Sequence, residues 1–164
     1  MTPSPAAQLG EAIAHSALGT WLRESTWAYP TVETLHILGF AVLVGSIVVV
    51  DLRLLGWRRS TPLGPLLQSA LPLTLSSTLV VVPTGLLLFA AHANDLVGNS
   101  AFVVKMLLIF IAATNAAMFH AGPYRSEIDA PSGRAPRAST RGFALVSIAV
   151  WISIVIAGRW IAYV

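Results

Sequence analysis

The chain has 164 residues, of which 55% are hydrophobic and only 10% are charged, and its mean hydropathy is +0.75. This composition is too apolar for a soluble domain and predicts an integral membrane protein. The net charge of +3 comes from arginines that flank apolar segments, so it does not indicate nucleic-acid binding. The absence of cysteine excludes disulfides and thiolate metal sites.

Residues 1–30 precede the first long apolar run. Ser4 is a suitable N-cap, Pro5 suits the first helical turn, and Pro30 is suited to end the segment. Apolar residues recur at four-residue spacing from Leu9 onward, which predicts one weakly amphipathic helix at the membrane surface. We expect no cleavable signal peptide, because a basic region followed by an apolar one is not recognisable here.

Four apolar runs are long enough to cross the hydrocarbon core, which takes about 20 helical residues. They cover approximately residues 31–50, 70–92, 101–122 and 142–164. We therefore predict an all-α fold, a polytopic membrane four-helix bundle formed by residues 31–164, with the N-terminal interfacial helix beside it. Pro83 in the second run predicts a kink that faces protein, because the carbonyl it frees needs a partner inside the bundle.

Basic residues are distributed unevenly between the two sides of these runs. The loops after the first and third runs hold seven of the ten Lys and Arg residues. Because short loops rich in Lys and Arg stay in the cytoplasm, we expect both termini on the outer, periplasmic side of a bacterial inner membrane. The loop at 123–141 lacks helical periodicity and is expected to be mobile and cytoplasmic.

Four ionisable residues fall in the outer parts of these runs: Glu33, His36, Lys105 and Arg159. A rise of ~1.5 Å per residue places them roughly 8 to 12 Å outside the midplane, at a common level. Ionisable groups at such depth are functional candidates because they are costly to insert. The alternative is that Lys105 and Arg159 simply extend to lipid headgroups. Lys105 lies on the small-residue face of its helix, which is expected to pack inward.

Two occupants suit this ionisable layer. The first is b-type haem, with His36 and His92 as metal ligands, and with Lys105 and Arg159 as partners for the propionates. The second is a quinone headgroup held by His36 and Lys105. The alternative without a ligand is that His36 simply hydrogen-bonds to Glu33 or to a backbone carbonyl.

On the cytoplasmic side, Asp51 and Arg53 are expected to pair with each other or with the arginine-rich loops. Asn115 and His120 are positioned to join them. We interpret this group as a helix-end ion pair that sets the membrane boundary.

Three strings carry a family resemblance: WAYPTVETLHILGFAVLVGSIVVVDLRLLG, KMLLIFIAATNA and AGRWIAY. In them the chain resembles a family of small bacterial inner-membrane proteins with four spans and no settled function. The architecture is also loosely similar to four-helix b-type cytochromes and to copper-resistance D-like proteins. The resemblance covers nearly all of the membrane portion and includes Glu33, His36, Lys105 and Arg159, but not His92.

Two functions follow as hypotheses. The first is a haem-binding or quinone-linked electron-transfer protein with its site near the outer leaflet. The second is a non-catalytic accessory subunit that packs in a larger membrane complex or a homo-oligomer. A transporter is disfavoured, because no inverted repeat is visible. No motif for a soluble substrate appears, so we expect no enzymatic activity of the chain's own.

The orientation can be tested with single-cysteine variants, because the natural chain has no cysteine. We expect a membrane-impermeant maleimide to label Asn94→Cys in intact spheroplasts, and Ser132→Cys only after permeabilisation. Labelling of Ser132→Cys in intact spheroplasts would reverse the orientation.

Overall fold

The computed structural model describes residues 4–164, and within this range the chain is helical without strands. Eight helices follow one another: α1 (Pro5–Ala14), α2 (Ala17–Glu24), α3 (Ala28–Leu55), α4 (Leu63–Ala91), α5 (Ala93–Val97), α6 (Ser100–Ala121), α7 (Tyr124–Ile128) and α8 (Ala138–Trp160). The predicted all-α fold is confirmed.

Helices α3, α4, α6 and α8 are each long and apolar enough to cross a membrane. The chain is therefore a multi-pass membrane protein. The helices extend beyond the predicted apolar runs: α3 begins at Ala28 and α4 at Leu63, because helices continue past the hydrocarbon boundary where polar and proline residues are tolerated. The last long helix, α8, begins and ends about four residues before the run predicted at 142–164.

The N-terminal segment forms two helices, so the prediction of one helix up to Pro30 was wrong. Ser16 interrupts the segment, because its hydroxyl accepts a hydrogen bond from the Gly19 backbone at 3.2 Å and caps α2. Pro30 does not end this segment but lies in the first turn of α3. Backbone N–H groups in the first turn have no acceptor within the helix, so the N–H that proline lacks costs no hydrogen bond there.

The four long helices are arranged around the bundle in sequence order. α3 packs on α4, α6 packs on α8, and α3 packs on α8. Among the described residues, no Cα atom of α4 lies within 8 Å of a Cα atom of α6. The α4–α6 side of the bundle is therefore closed by side chains alone.

The bundle has two distinct ends. The end that carries α1, α2, α5 and the C-terminus is called the terminal end below, and the end that carries α7 and residues 56–62 is called the arginine end. At the arginine end, apolar residues of all four long helices form one buried cluster: Leu54, Leu63, Leu67, Phe119 and Ala144. At the terminal end, Leu22 of α2 packs against Ala28 and Ala91. The two clusters fix the helices at both ends and leave the polar groups between them.

Pro83 lies in a continuous α4, and its ring is exposed on the outside of the bundle. The prediction that this position faces protein was therefore wrong. The residues that follow it, Thr84 and Gly85, face α3 instead. Their position matters for the site described below.

The loop at 123–141 is also more structured than predicted, since it contains α7 and the first turn of α8. Glu127 organises it from a buried position. One carboxylate oxygen accepts hydrogen bonds from the Arg137 backbone at 3.3 Å and from the Thr140 hydroxyl at 3.0 Å, and the other lies 3.5 Å from Arg134. A single carboxylate thus connects α7 to the start of α8, which local periodicity does not reveal.

The close packing of α2 on α4 can be tested at Gly19. A Cβ atom at this position would lie 2.6 Å from the Ala14 carbonyl oxygen and 2.7 Å from that of Ala90. We expect Gly19→Ala to destabilise the protein by about 1 to 3 kcal/mol, because backbone has to move to make room. Gly45→Ala is the matched control, since nothing lies within 4 Å of its added Cβ. Equal melting temperatures for both variants in detergent would contradict the close contact.

Candidate functional site

His36 projects from α3 towards α4. Its Nδ1 atom lies 3.0 Å from the Thr84 hydroxyl oxygen. The imidazole also lies over Gly85, where an added Cβ would be only 3.0 Å from His36 Cε1. The absence of a side chain at position 85 is therefore what allows the ring to approach α4.

Lys105 comes from α6 and extends along α8. Its side chain passes Gly158, where an added Cβ would lie 3.6 Å from the Nζ atom. Phe102, three residues before Lys105, stacks on Phe89 of α4, five residues after the Thr84 that contacts His36, so Lys105 and His36 lie at about the same level of the bundle. Among residues 4–164, no carboxylate or other hydrogen-bond acceptor pairs with the Lys105 ammonium. A cation and an imidazole thus lie at one level of the bundle, both half-buried, without a neutralising anion among the described residues.

Aromatic rings border this pair on both sides. Towards the arginine end, Phe40 stacks below His36 with ring centroids 6.4 Å apart and contacts Trp151 of α8 at 5.9 Å. Towards the terminal end, Phe89 of α4 and Phe102 of α6 stack with centroids 5.5 Å apart. At ~1.5 Å per residue, the two aromatic pairs lie about one helical turn on either side of His36 and Lys105. The polar pair therefore occupies a narrow layer between aromatic walls.

The structure does not bring the other predicted residues into this layer. Glu33 is exposed, and its charge acts on Tyr29 rather than on His36. Arg159 is exposed as well, and its guanidinium lies over the Tyr163 ring at 4.9 Å and donates a hydrogen bond to the Tyr163 hydroxyl. Both lie on the outside of the bundle, because the rotation of each helix about its axis is set by its packing on the neighbouring helices.

His92 also lies apart from His36. Its ring contacts Tyr29 edge-on at 5.1 Å, at the C-terminal end of α4. Tyr29 lies seven residues before His36 on α3, and His92 lies seven residues after Gly85, which corresponds to about 10 Å along each helix. One iron holds its two axial imidazoles only a few ångströms apart, so these two histidines do not fit a shared haem. Nowhere in residues 4–164 do three or more His, Cys, Asp or Glu side chains form a group that could hold a metal ion.

Sequence reasoning did not assign Thr84, Gly85 and Gly158 to the site. The available signal was small: two residues that follow a proline, and a glycine beside Arg159, all inside apolar runs. Small residues in membrane helices mark close approach, but only the structure shows what approaches them. Ala112 and Ala116 are small residues on the face of α6 that carries Lys105, which was predicted to pack inward. The prediction is confirmed for Ala112, which is buried, and wrong for Ala116, which is exposed.

The polar residues near the arginine end do not form the predicted ion pair. Arg53 donates instead to the backbone oxygens of Thr61 at 2.7 Å and Arg59 at 3.2 Å. Asp51 is only 6% exposed and lies beside Ser147, and its Oδ2 atom has no hydrogen-bond partner. The loop backbone offers Arg53 several carbonyls, which compete with Asp51 for its donors.

The two polar residues expected to join them are occupied elsewhere. Asn115 donates to the Phe143 carbonyl at 3.1 Å. His120 lies 2.8 Å from the Ala116 carbonyl and stacks on Tyr124. Each of these side chains supports the packing of α6.

A family model matches residues 14–164, which is nearly the whole chain, and it describes a family of unknown function, DUF6644. The chain belongs to this family. No curated protein and no solved structure matches the chain. The match of this DUF6644 chain includes all four long helices and therefore both His36 and Lys105, whereas most of α1 lies before it.

Proposed function

We propose that the chain binds a quinone headgroup between His36 and Lys105 and takes part in quinone-linked electron transfer. The observation that carries this proposal is the Lys105 side chain, which lies against Gly158 at the level of His36 and has no anion to neutralise it in residues 4–164. We further propose that the arginine end faces the cytoplasm of a bacterial cell, which puts this site in the outer half of the inner membrane.

The position of Lys105 favours a ligand over a purely structural role. A lysine in the hydrocarbon region costs up to ~2.5 to 3.5 kcal/mol, and it avoids this cost by extending to the headgroups. The Lys105 ammonium lies beside Gly158 of α8, two residues before the end of that helix, and no anion pairs with it among residues 4–164. An ammonium held there has donors to spare, and an uncharged carbonyl oxygen from a ligand can accept one of them.

The surroundings match an aromatic ligand of this kind. Binding sites for small molecules are mostly apolar with a few well-placed polar groups, and here the polar pair lies between the Phe40–Trp151 and Phe89–Phe102 pairs. The flat ring of a quinone can stack on such walls. Because the α4–α6 side is closed by side chains alone, it also offers a route from the bilayer.

The haem alternative has less support. A haem ligated by both histidines does not fit, since His92 contacts Tyr29 about two helical turns from His36. Arg159, the expected partner of a propionate, is engaged with Tyr163 on the outer surface.

A second candidate function, an accessory subunit of a larger membrane complex, is favoured by Glu33. This carboxylate is exposed on the side of a membrane helix, and no cationic side chain pairs with it in the described part of the chain. A basic or hydrogen-bond-donating group of a partner helix would satisfy it. The two functions are compatible, because quinone sites and subunit contacts involve different faces of α3.

The quinone proposal is tested by extraction of the protein purified in nanodiscs. We expect about one quinone per chain, and a roughly 10- to 100-fold weaker affinity in Lys105→Met, since a hydrogen bond from a charged donor contributes about 1.5 to 3 kcal/mol. Arg159→Met is the matched control and should keep its quinone, because Arg159 lies outside the site. Unchanged quinone content in Lys105→Met would refute the proposal.

The accessory function is tested by size in a mild detergent. We expect the wild-type chain to copurify with larger membrane proteins, and Glu33→Gln to weaken that association. Glu24→Gln, which changes another exposed carboxylate near the terminal end, should leave it intact. A monodisperse isolated monomer of the wild type would contradict this function.

A further inference from the structure

We infer that the Thr84 hydroxyl fixes His36 in the tautomer whose Nε2 atom accepts hydrogen bonds. The site then selects the hydroquinone form of its ligand over the quinone. This inference rests on the proposed function for its ligand, although the state of His36 can be measured without one. It makes Thr84 a positioning residue that acts through His36.

The first step concerns the single proton of the Thr84 hydroxyl. Its oxygen lies 2.6 Å from the Val80 carbonyl oxygen and 3.2 Å from that of Val81. Threonine in a helix commonly donates to the carbonyl one turn earlier, and the short distance to Val80 indicates that it does so here. The proton therefore points along α4, and the oxygen lone pairs remain for His36.

The second step concerns the His36 ring. Its Nδ1 atom is 3.0 Å from the Thr84 oxygen, which already donates its only proton elsewhere. Nδ1 must then carry a proton and donate it to Thr84. In neutral imidazole this arrangement leaves Nε2 with a lone pair. The Val81 carbonyl is a further acceptor near the ring. No donor among residues 4–164 forms a hydrogen bond with Nε2, so its lone pair is available to a ligand.

The charged groups around the ring are compatible with neutral imidazole. Lys105 of α6 is the charged residue at the level of His36, and no acidic residue of the helices that pack on α3 pairs with the ring in the described chain. A second positive charge on His36 would thus have no compensating anion in apolar surroundings. The site accordingly presents one donor, the Lys105 ammonium, and one acceptor, His36 Nε2.

One hydroxyl group satisfies both partners. The oxygen of a hydroquinone hydroxyl can accept from Lys105 while its proton is donated to His36 Nε2. A quinone carbonyl can also accept a hydrogen bond from Lys105, but it has no proton to donate to His36 Nε2. The lone pairs of the carbonyl oxygen and of Nε2 then face each other. A site built to pair with a hydroxyl strongly disfavours the analogue that lacks it, because a buried polar group is then left without a partner.

The first experiment measures the tautomer in protein stripped of quinone. In nitrogen-15 NMR spectra of histidine-labelled protein in nanodiscs, we expect the His36 proton on Nδ1. Thr84→Val keeps the shape but removes the accepting oxygen, and it should move the proton largely to Nε2. Thr84→Ser retains the hydroxyl and should preserve the wild-type tautomer. A wild-type proton on Nε2, or the same tautomer in Thr84→Val, would overturn the inference.

The second experiment measures binding of a short-chain quinone in both redox forms to the same three proteins. We expect the hydroquinone to bind wild type and Thr84→Ser at least about tenfold more tightly than the quinone, and this preference to disappear in Thr84→Val. Melting temperatures in nanodiscs confirm that Thr84→Val is folded. Equal affinities of wild type for both forms would overturn the inference and leave the proposed function in place. If neither form binds, the proposed function fails while the NMR result on Thr84 stands.

Discussion

Lipid offers no hydrogen bonds, so each polar group inside this bundle needs a partner within the chain, and the structure follows from that requirement. The hydroxyls of Thr74, Ser77 and Thr84 donate to carbonyls of their own helix. At the terminal end, Arg23 donates to the last carbonyl of α4 at 2.6 Å, and Asn99 donates to the carbonyls of Ile161 and Val164. Helix ends that would otherwise be unsatisfied are thereby closed by neighbouring segments.

Lys105 is the side chain for which this requirement is not met by the described chain, and this is why it carries the functional argument. Its helix places it at the level of His36, and Gly158 leaves room for its side chain against α8. Asp51 near the arginine end also has an unpartnered oxygen, but Ser147 lies beside it and no aromatic site surrounds it. Arg141 Nε near the arginine end is a further buried group without a partner. Lys105 and Asp51 differ in what they can do: Lys105 has the surroundings of a binding site, whereas Asp51 is enclosed by packing.

The same layer links stability to function through small residues. Gly85 and Gly158 give up packing and helical propensity so that His36 and Lys105 can lie against neighbouring helices. The bundle compensates at its ends, where the Leu54 and Leu22 clusters hold the helices. Because the α4–α6 side lacks close backbone contact, its Phe89–Phe102 stack is the part of the wall that can open at the smallest loss of packing.

The sequence by itself determined the all-α membrane fold, the number of spans, and the positions of His36 and Lys105 along their helices, since hydropathy and the helical rise depend on local order alone. It did not determine which residues share the interior, because rotation about a helix axis is set by packing between helices. That rotation turned Glu33 and Arg159 outward, placed His92 against Tyr29, and brought Thr84 to His36. A residue's level is thus a property of its own helix, whereas its partners are decided by the neighbouring ones.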